Sequence, residues 1–164
     1  LCDYEGNYHE LGRSYIDYIN ALRYSHRFSE AFEIVEKCKK EFYNIKVLYR
    51  KFCMQELILY FNTGNYSKVV ELLKKINVKE LQEMGKNNYY FISGHIAFIN
   101  KDYEAALKKS KKCETYFTKN MYHYDLALMY DDLFAITGDK LFEEKKKTSL
   151  LSNAVRRNVV INPT

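Results

Sequence analysis

The sequence predicts an all-α fold: about four antiparallel helix pairs stacked side by side and closed by a terminal capping helix. Three observations carry this. Apolar and small residues recur at three- and four-residue steps, which on a helix of 3.6 residues per turn draws one continuous face. Short polar turns interrupt the pattern at Thr63-Gly64-Asn65, Asn100-Lys101-Asp102 and Thr137-Gly138-Asp139. The residues just after the turns, Phe28, Tyr66, Tyr103 and Lys140, fall 38, 37 and 37 residues apart, and a fixed period of this size marks a repeat architecture.

The clearest unit runs from Asn87 to Tyr116. Tyr90, Phe91, Gly94, Ala97 and Phe98 form one face before the turn, and Tyr103, Ala106, Leu107, Ser110 and Cys113 form one after it. Two helices of about a dozen residues joined by so short a turn must lie antiparallel and touching. Gly94 and Ala106 supply the small side chains a close crossing needs. Equivalent places in the four units hold His26, Gly64, Lys101 and Gly138 in the turn, then Ala31, Val69, Ala106 and Glu143, then Cys38, Ile76, Cys113 and Leu150. On this reading the turn and the tight contact persist through three units and decay in the fourth.

Taken in order, residues 1–9 form an N-terminal segment with a turn signal at Glu5-Gly6-Asn7, expected to be the start of a fragment. The repeats occupy residues 10–158, as units near 12–49, 50–86, 87–123 and 124–158. The first helix runs from about Glu10 through Tyr15, Ile19 and Leu22; its partner spans Ser29 to about Phe42, with Ser29 as N-cap. Asn44 to Phe61 is apolar nearly all round, which predicts a helix between neighbours. Ser67 to Ile76 is amphipathic. Asn77 to Lys86 reads as a loop with an extra turn at residues 80–84 closed by Gly85, and takes most of the excess period. Met121 to Ile136 is the next helix, ended by Gly138 as C-cap. Leu141 to about Asn158 caps the stack, with Leu150, Leu151, Ala154 and Val155 inward and Glu143, Glu144 and the lysine run outward. Residues 159–164 are a tail.

Composition bounds the function. With 47% apolar and 29% charged residues in 164, the chain is an ordinary globular domain rather than a disordered one. Pro163 is the one proline, so nothing interrupts a helix. No run approaches the ~18 apolar residues of a membrane span, and no signal peptide opens the chain, so a cytoplasmic, membrane-free protein is expected. Cys2, Cys38, Cys53 and Cys113 lack metal-ligand spacing, and the equivalence of Cys38 and Cys113 points to packing. His9, His26, His95 and His123 never stand four apart; His26 and His123 read as solvated surface residues. Glycines are scattered singly, which excludes a phosphate cradle, and the adjacent pairs Asp131-Asp132 and Glu143-Glu144 point about 100° apart on a helix, so neither makes a dyad. No enzyme activity, cofactor or metal is expected.

At Gly94 and Tyr103-x-x-Ala106, and more loosely elsewhere from residue 12 to 152, the chain resembles the tetratricopeptide repeat family. The resemblance implies a right-handed superhelix whose first helices line a concave groove. It implies groove residues Arg13, Asp17, Asn20 and Tyr24 from the first unit and Gln55, Ile58 and Asn62 from the second. Asn88, Phe91, His95 and Phe98 follow from the third, and Asp125, Met129 and Asp132 from the fourth. Amides, aromatics and few charges suit an extended peptide. Co-chaperones of the family hold a carboxylate with lysines and asparagines; Asn20 stands at one asparagine place, but Ile16 stands at the lysine place, so that clamp is not expected. From Glu56 the run ELILYFNTGNYSKVVELLKKINVKELQE is similar to the degenerate repeats of peptide-sensing regulators of Gram-positive bacteria and their phages. The expected partner is therefore a protein or short linear peptide. A second copy of the chain is one alternative, and nucleic acid on the basic outer face is a less favoured one.

Overall fold

The computed structural model describes the backbone of residues 2–161 and the side chains of residues 7–154. Among these residues there are eight α-helices and no strand: α1 Cys2–Tyr24, α2 Phe28–Glu41, α3 Lys46–Asn62, α4 Tyr66–Lys75, α5 Glu83–Ile99, α6 Tyr103–Lys119, α7 His123–Thr137 and α8 Lys140–Ile161. A short 3-10 turn at Val78–Glu80 links α4 to α5. The helices form two compact units, Leu1–Gly85 and Lys86–Thr164. The division falls where the second sequence unit gives way to the third.

The turns explain why the period is visible. Helices α2, α4, α6 and α8 begin at the four aligned residues Phe28, Tyr66, Tyr103 and Lys140. Two places earlier His26, Gly64, Lys101 and Gly138 all adopt the left-handed conformation, with φ of 57°, 72°, 62° and 69°. In the first three turns the residue after it donates its N–H five residues back, Arg27 to Leu22, Asn65 to Tyr60 and Asp102 to Ala97. These bonds cover the orphan carbonyls of a helix end. The fourth turn keeps the left-handed residue but not this bond, since the Asp139 N–H goes to the Thr137 Oγ1, and the packing position after it changes as the sequence reading expects: Ala31, Val69 and Ala106 are buried, whereas Glu143 is half exposed. A left-handed lysine carries about 1 kcal/mol of strain that glycine would not. Lys101→Gly is therefore expected to raise the melting temperature by a few degrees; a drop would show that the Lys101 side chain holds the turn.

In the first unit α1 packs on both α2 and α3, and α3 packs on α4. The core joins Ile19 and Leu22 of α1, Ala31, Val35 and Cys38 of α2, Phe42 at its end, and Leu48, Phe52 and Leu59 of α3. Helix α3 is buried at eight positions, as its all-round apolarity predicts. The predicted turn at residues 5–7 is instead part of α1: Tyr8 and Tyr15 both set their rings edge-on to Phe42, and that packing outweighs the roughly 1 kcal/mol that a helical glycine costs. Ser29 lies inside α2; Arg27 is the N-cap residue and makes no side-chain capping bond, because the turn geometry fixes the start. The extra turn sits at residues 78–80 rather than 80–84, since the Asn77 side chain accepts the Lys79 N–H and donates to Glu80. Gly85 therefore falls within α5.

In the second unit α5 and α6 are 17 residues each, not a dozen, and part of the excess period resides in them. Ala106, Ser110, Cys113 and Phe117 form the buried face of α6, while Tyr103 and Leu107 stand at its exposed edge. A Cβ on Gly94 would lie 3.3 Å from the Lys109 Cβ, 3.7 Å from the Ser110 Oγ and 3.8 Å from the Ala106 carbonyl. This is the close crossing the sequence places there. Gly94→Leu is expected to cost about 1–3 kcal/mol or more through overpacking. An unchanged melting temperature would show that α5 and α6 do not cross at Gly94.

Helix α8 lies the other way up from the sequence reading. Leu150 and Leu151 are exposed, at 39% and 66%, and Ala154 is exposed; Val155, Arg156 and Arg157 lie outside the described side chains. Ser149 is buried, and two lysines face the neighbouring helices. Lys145 reaches Glu114 at 2.8 Å and lies over the rings of Tyr130 and Phe142, and Lys146 reaches Asp131 at 2.6 Å. These pairs, with the Lys145 ammonium over two rings, set the face that α8 turns to its neighbours. The helix also continues through Ile161, where a tail was expected; residues 162–164 lie outside the described residues.

Candidate ligand-binding faces

The first helices of successive pairs touch in each unit, and polar side chains make the junction. In the first unit Arg23, the penultimate residue of α1, donates from Nη1 to the Asn62 Oδ1 at 3.2 Å and from Nη2 to the Asn20 Oδ1 at 3.3 Å. Its guanidinium lies 4.6 Å from the centre of the Tyr24 ring. Three of the predicted residues, Asn20, Tyr24 and Asn62, are thus brought together by a fourth that the sequence reading passed over. An arginine three residues after Asn20, and one before Tyr24, was the available signal. Arg13 and Asp17 are exposed on α1. Ile58 is buried, and Gln55 is 4% exposed with an Oε1 that no hydrogen bond satisfies. A buried amide oxygen left unpaired costs roughly 1–3 kcal/mol, so Gln55 marks the floor of this face as an unfinished polar site.

In the second unit His95 Nδ1 and Asp132 Oδ2 stand 2.6 Å apart, linking α5 to α7, with side chains 10% and 9% exposed. The two occupy equivalent places, each eight residues before the start of the following helix. Phe91 and Met129 are buried, Phe91 against Phe117 with ring centres 5.2 Å apart, so both serve the core. Asn88, Phe98 and Asp125 are half buried, and the Phe98 ring lies between those of His95 and Tyr103, 6.2 Å from each.

Outside these faces the described cysteines serve packing. Burial pushes the Cys38 thiol up to about 11 and the Cys113 thiol up to about 12, and it raises Cys53 as well. Such thiols stay protonated at neutral pH and pack as small apolar groups; Cys2 lies outside the described side chains. His123 is half buried, with Nδ1 lacking a partner, and not a solvated surface residue, because the turn after α6 tucks it against the body. Two open hollows flank α2, about 460 and 660 Å³, sharing Glu36 and Lys40, with Tyr43 and Tyr49 in one and Phe32 and Tyr60 in the other. Among the described residues no three His, Cys, Asp or Glu side chains gather as a metal site, and no helix is long and apolar enough to cross a membrane.

Comparison with known proteins adds no relative: no family model matches the chain, and neither a curated protein nor a solved structure matches it.

Proposed function

We propose that the chain is a protein- or peptide-binding module built on a tetratricopeptide-like stack, in which the first helices of the pairs present the ligand face. The observation that carries this reading is the polar seam between consecutive first helices, Arg23 with Asn20 and Asn62 in one unit and His95 with Asp132 in the other. Amide and guanidinium groups beside Tyr24 match the needs of an extended backbone, whose carbonyls seek donors and whose side chains seek aromatic surface. The regulator-like run from Glu56 passes through Asn62, which favours a short signal peptide as ligand and the ligand-sensing part of a larger regulator as the role.

Nucleic-acid contact draws less support: Lys108, Lys109, Lys111 and Lys112 alternate around α6 rather than forming one stripe, with Lys109 half buried and Lys112 over the Tyr90 ring, and Lys145, Lys146 and Lys147 each sit within ion-pair distance of a carboxylate. The deciding experiment is selection of random linear peptides on the whole chain, followed by titration of the selected sequences into Asn20→Ala and Asn62→Ala. Selective loss of binding with weak salt dependence is expected. Steep loss between low and physiological salt, unchanged by either substitution, would favour electrostatic contact with nucleic acid.

A further inference from the structure

We propose that Arg23, held between Asn20 and Asn62, is a subsite for a carboxylate carried by the ligand; the inference rests on reading the α1–α3 face as a ligand surface. Arginine has five N–H donors and no acceptor. Two of the Arg23 donors are spent on amide oxygens, and the buried Nε–H has no partner. Among the described residues Arg23 makes no ion pair, although lysines in the same unit, such as Lys39 with Glu56 at 2.7 Å, have found theirs. Because guanidinium can only donate, both asparagines must turn their oxygens toward it, and each therefore presents its NH2 away from it. Each of these oxygens keeps a second lone pair, but neither amide carries charge, so the guanidinium is left without a counter-ion.

A half-buried cation with no carboxylate partner complements a planar anion with two acceptor oxygens, and arginine meets a carboxylate in that geometry. Helix capping does not explain the arrangement. The carbonyls of Leu22 and Arg23 at the end of α1, and of Leu59, Tyr60 and Phe61 at the end of α3, already accept backbone N–H groups from the turns that follow. Nor does this repeat the co-chaperone clamp, whose lysine place holds Ile16. The buried Gln55, two turns before Asn62 on α3, extends the polar floor away from the anion end. A peptide seated with its acid on Arg23 would run its backbone toward Gln55.

The direct probe is N-acetylglycine, with N-acetylglycinamide as its uncharged twin. Both are titrated into the whole chain at constant ionic strength while the Arg23 Nε–Hε resonance and the Asn20 and Asn62 side-chain amides are followed. A saturable shift with the acid and none with the amide is expected; identical responses overturn the subsite, whatever becomes of peptide binding. Asn62→Asp supplies an internal carboxylate to Arg23, so it should abolish the acid response while the melting temperature holds or rises. An acid response that survives this substitution also overturns the proposal. Selected peptides should weaken about tenfold or more in Arg23→Gln. Loss of binding on C-terminal amidation assigns the acid to the chain end, loss on removing Asp or Glu assigns it to a side chain, and peptides indifferent to both refute it. A failed selection beside a positive acid titration would count against the peptide reading alone.

Discussion

Phe42→Ala is expected to cost the first unit about 3–5 kcal/mol, close to the whole stability of a small helical unit. Phe42 is fully buried at the end of α2, and it is where three helices meet. Its ring stacks on Phe52 of α3 at 5.4 Å and receives the edges of Tyr15 and Tyr8 from α1 at 6.2 and 6.4 Å. Truncation removes a large buried side chain and three aromatic contacts at once, the pairs being worth about 0.5–1.5 kcal/mol each beyond the area they bury. The cavity cannot collapse readily, because its walls belong to different helices. Chemical denaturation should show the loss, and amide exchange should place it in α1, α2 and α3 rather than in α5 to α8. A cost below about 1 kcal/mol would mean that Phe42 is not the junction of the three helices.

Phe42 also shows where the sequence stops being informative. Periodicity finds the helices because each must hide one face, and it finds the turns because a left-handed residue ends them; Gly94 and the four aligned turn positions were legible for those reasons. The role of Phe42 was not: periodicity puts it on the buried face with Ala31, Val35 and Cys38, but the rings that make it a junction are brought from α1 and α3. Helix α8 was misread for a related reason. Hydrophobicity sets Leu150 and Leu151 inward, but Glu114 and Asp131 on neighbouring helices draw Lys145 and Lys146 to the body instead. At the candidate faces Asn20, Tyr24 and Asn62 were named from the family resemblance, and Arg23 lies within hydrogen-bond or ring contact of all three. Arg23 was missed because a guanidinium that bridges two helices leaves no mark in either helix alone.

Asp132→Ala is the second change expected to be severe, at about 3–5 kcal/mol, because it strands a buried partner of His95. Removing the carboxylate leaves the imidazole with a polar nitrogen facing the void, so the penalty combines a lost charge-assisted bond with an unpaired donor or acceptor. His95→Ala should cost less, since the carboxylate can take up water in the space vacated by the larger ring. Replacing both by Leu is expected to recover most of the loss, as buried polar pairs exchanged for apolar ones often do. A double-mutant cycle on His95 and Asp132 measures this directly. Coupling of less than about 0.5 kcal/mol would show that α5 and α7 are joined by apolar packing alone. If the coupling is large and the Leu pair folds stably yet loses its ligand, the seam between first helices exists to shape a face and not to hold the unit together.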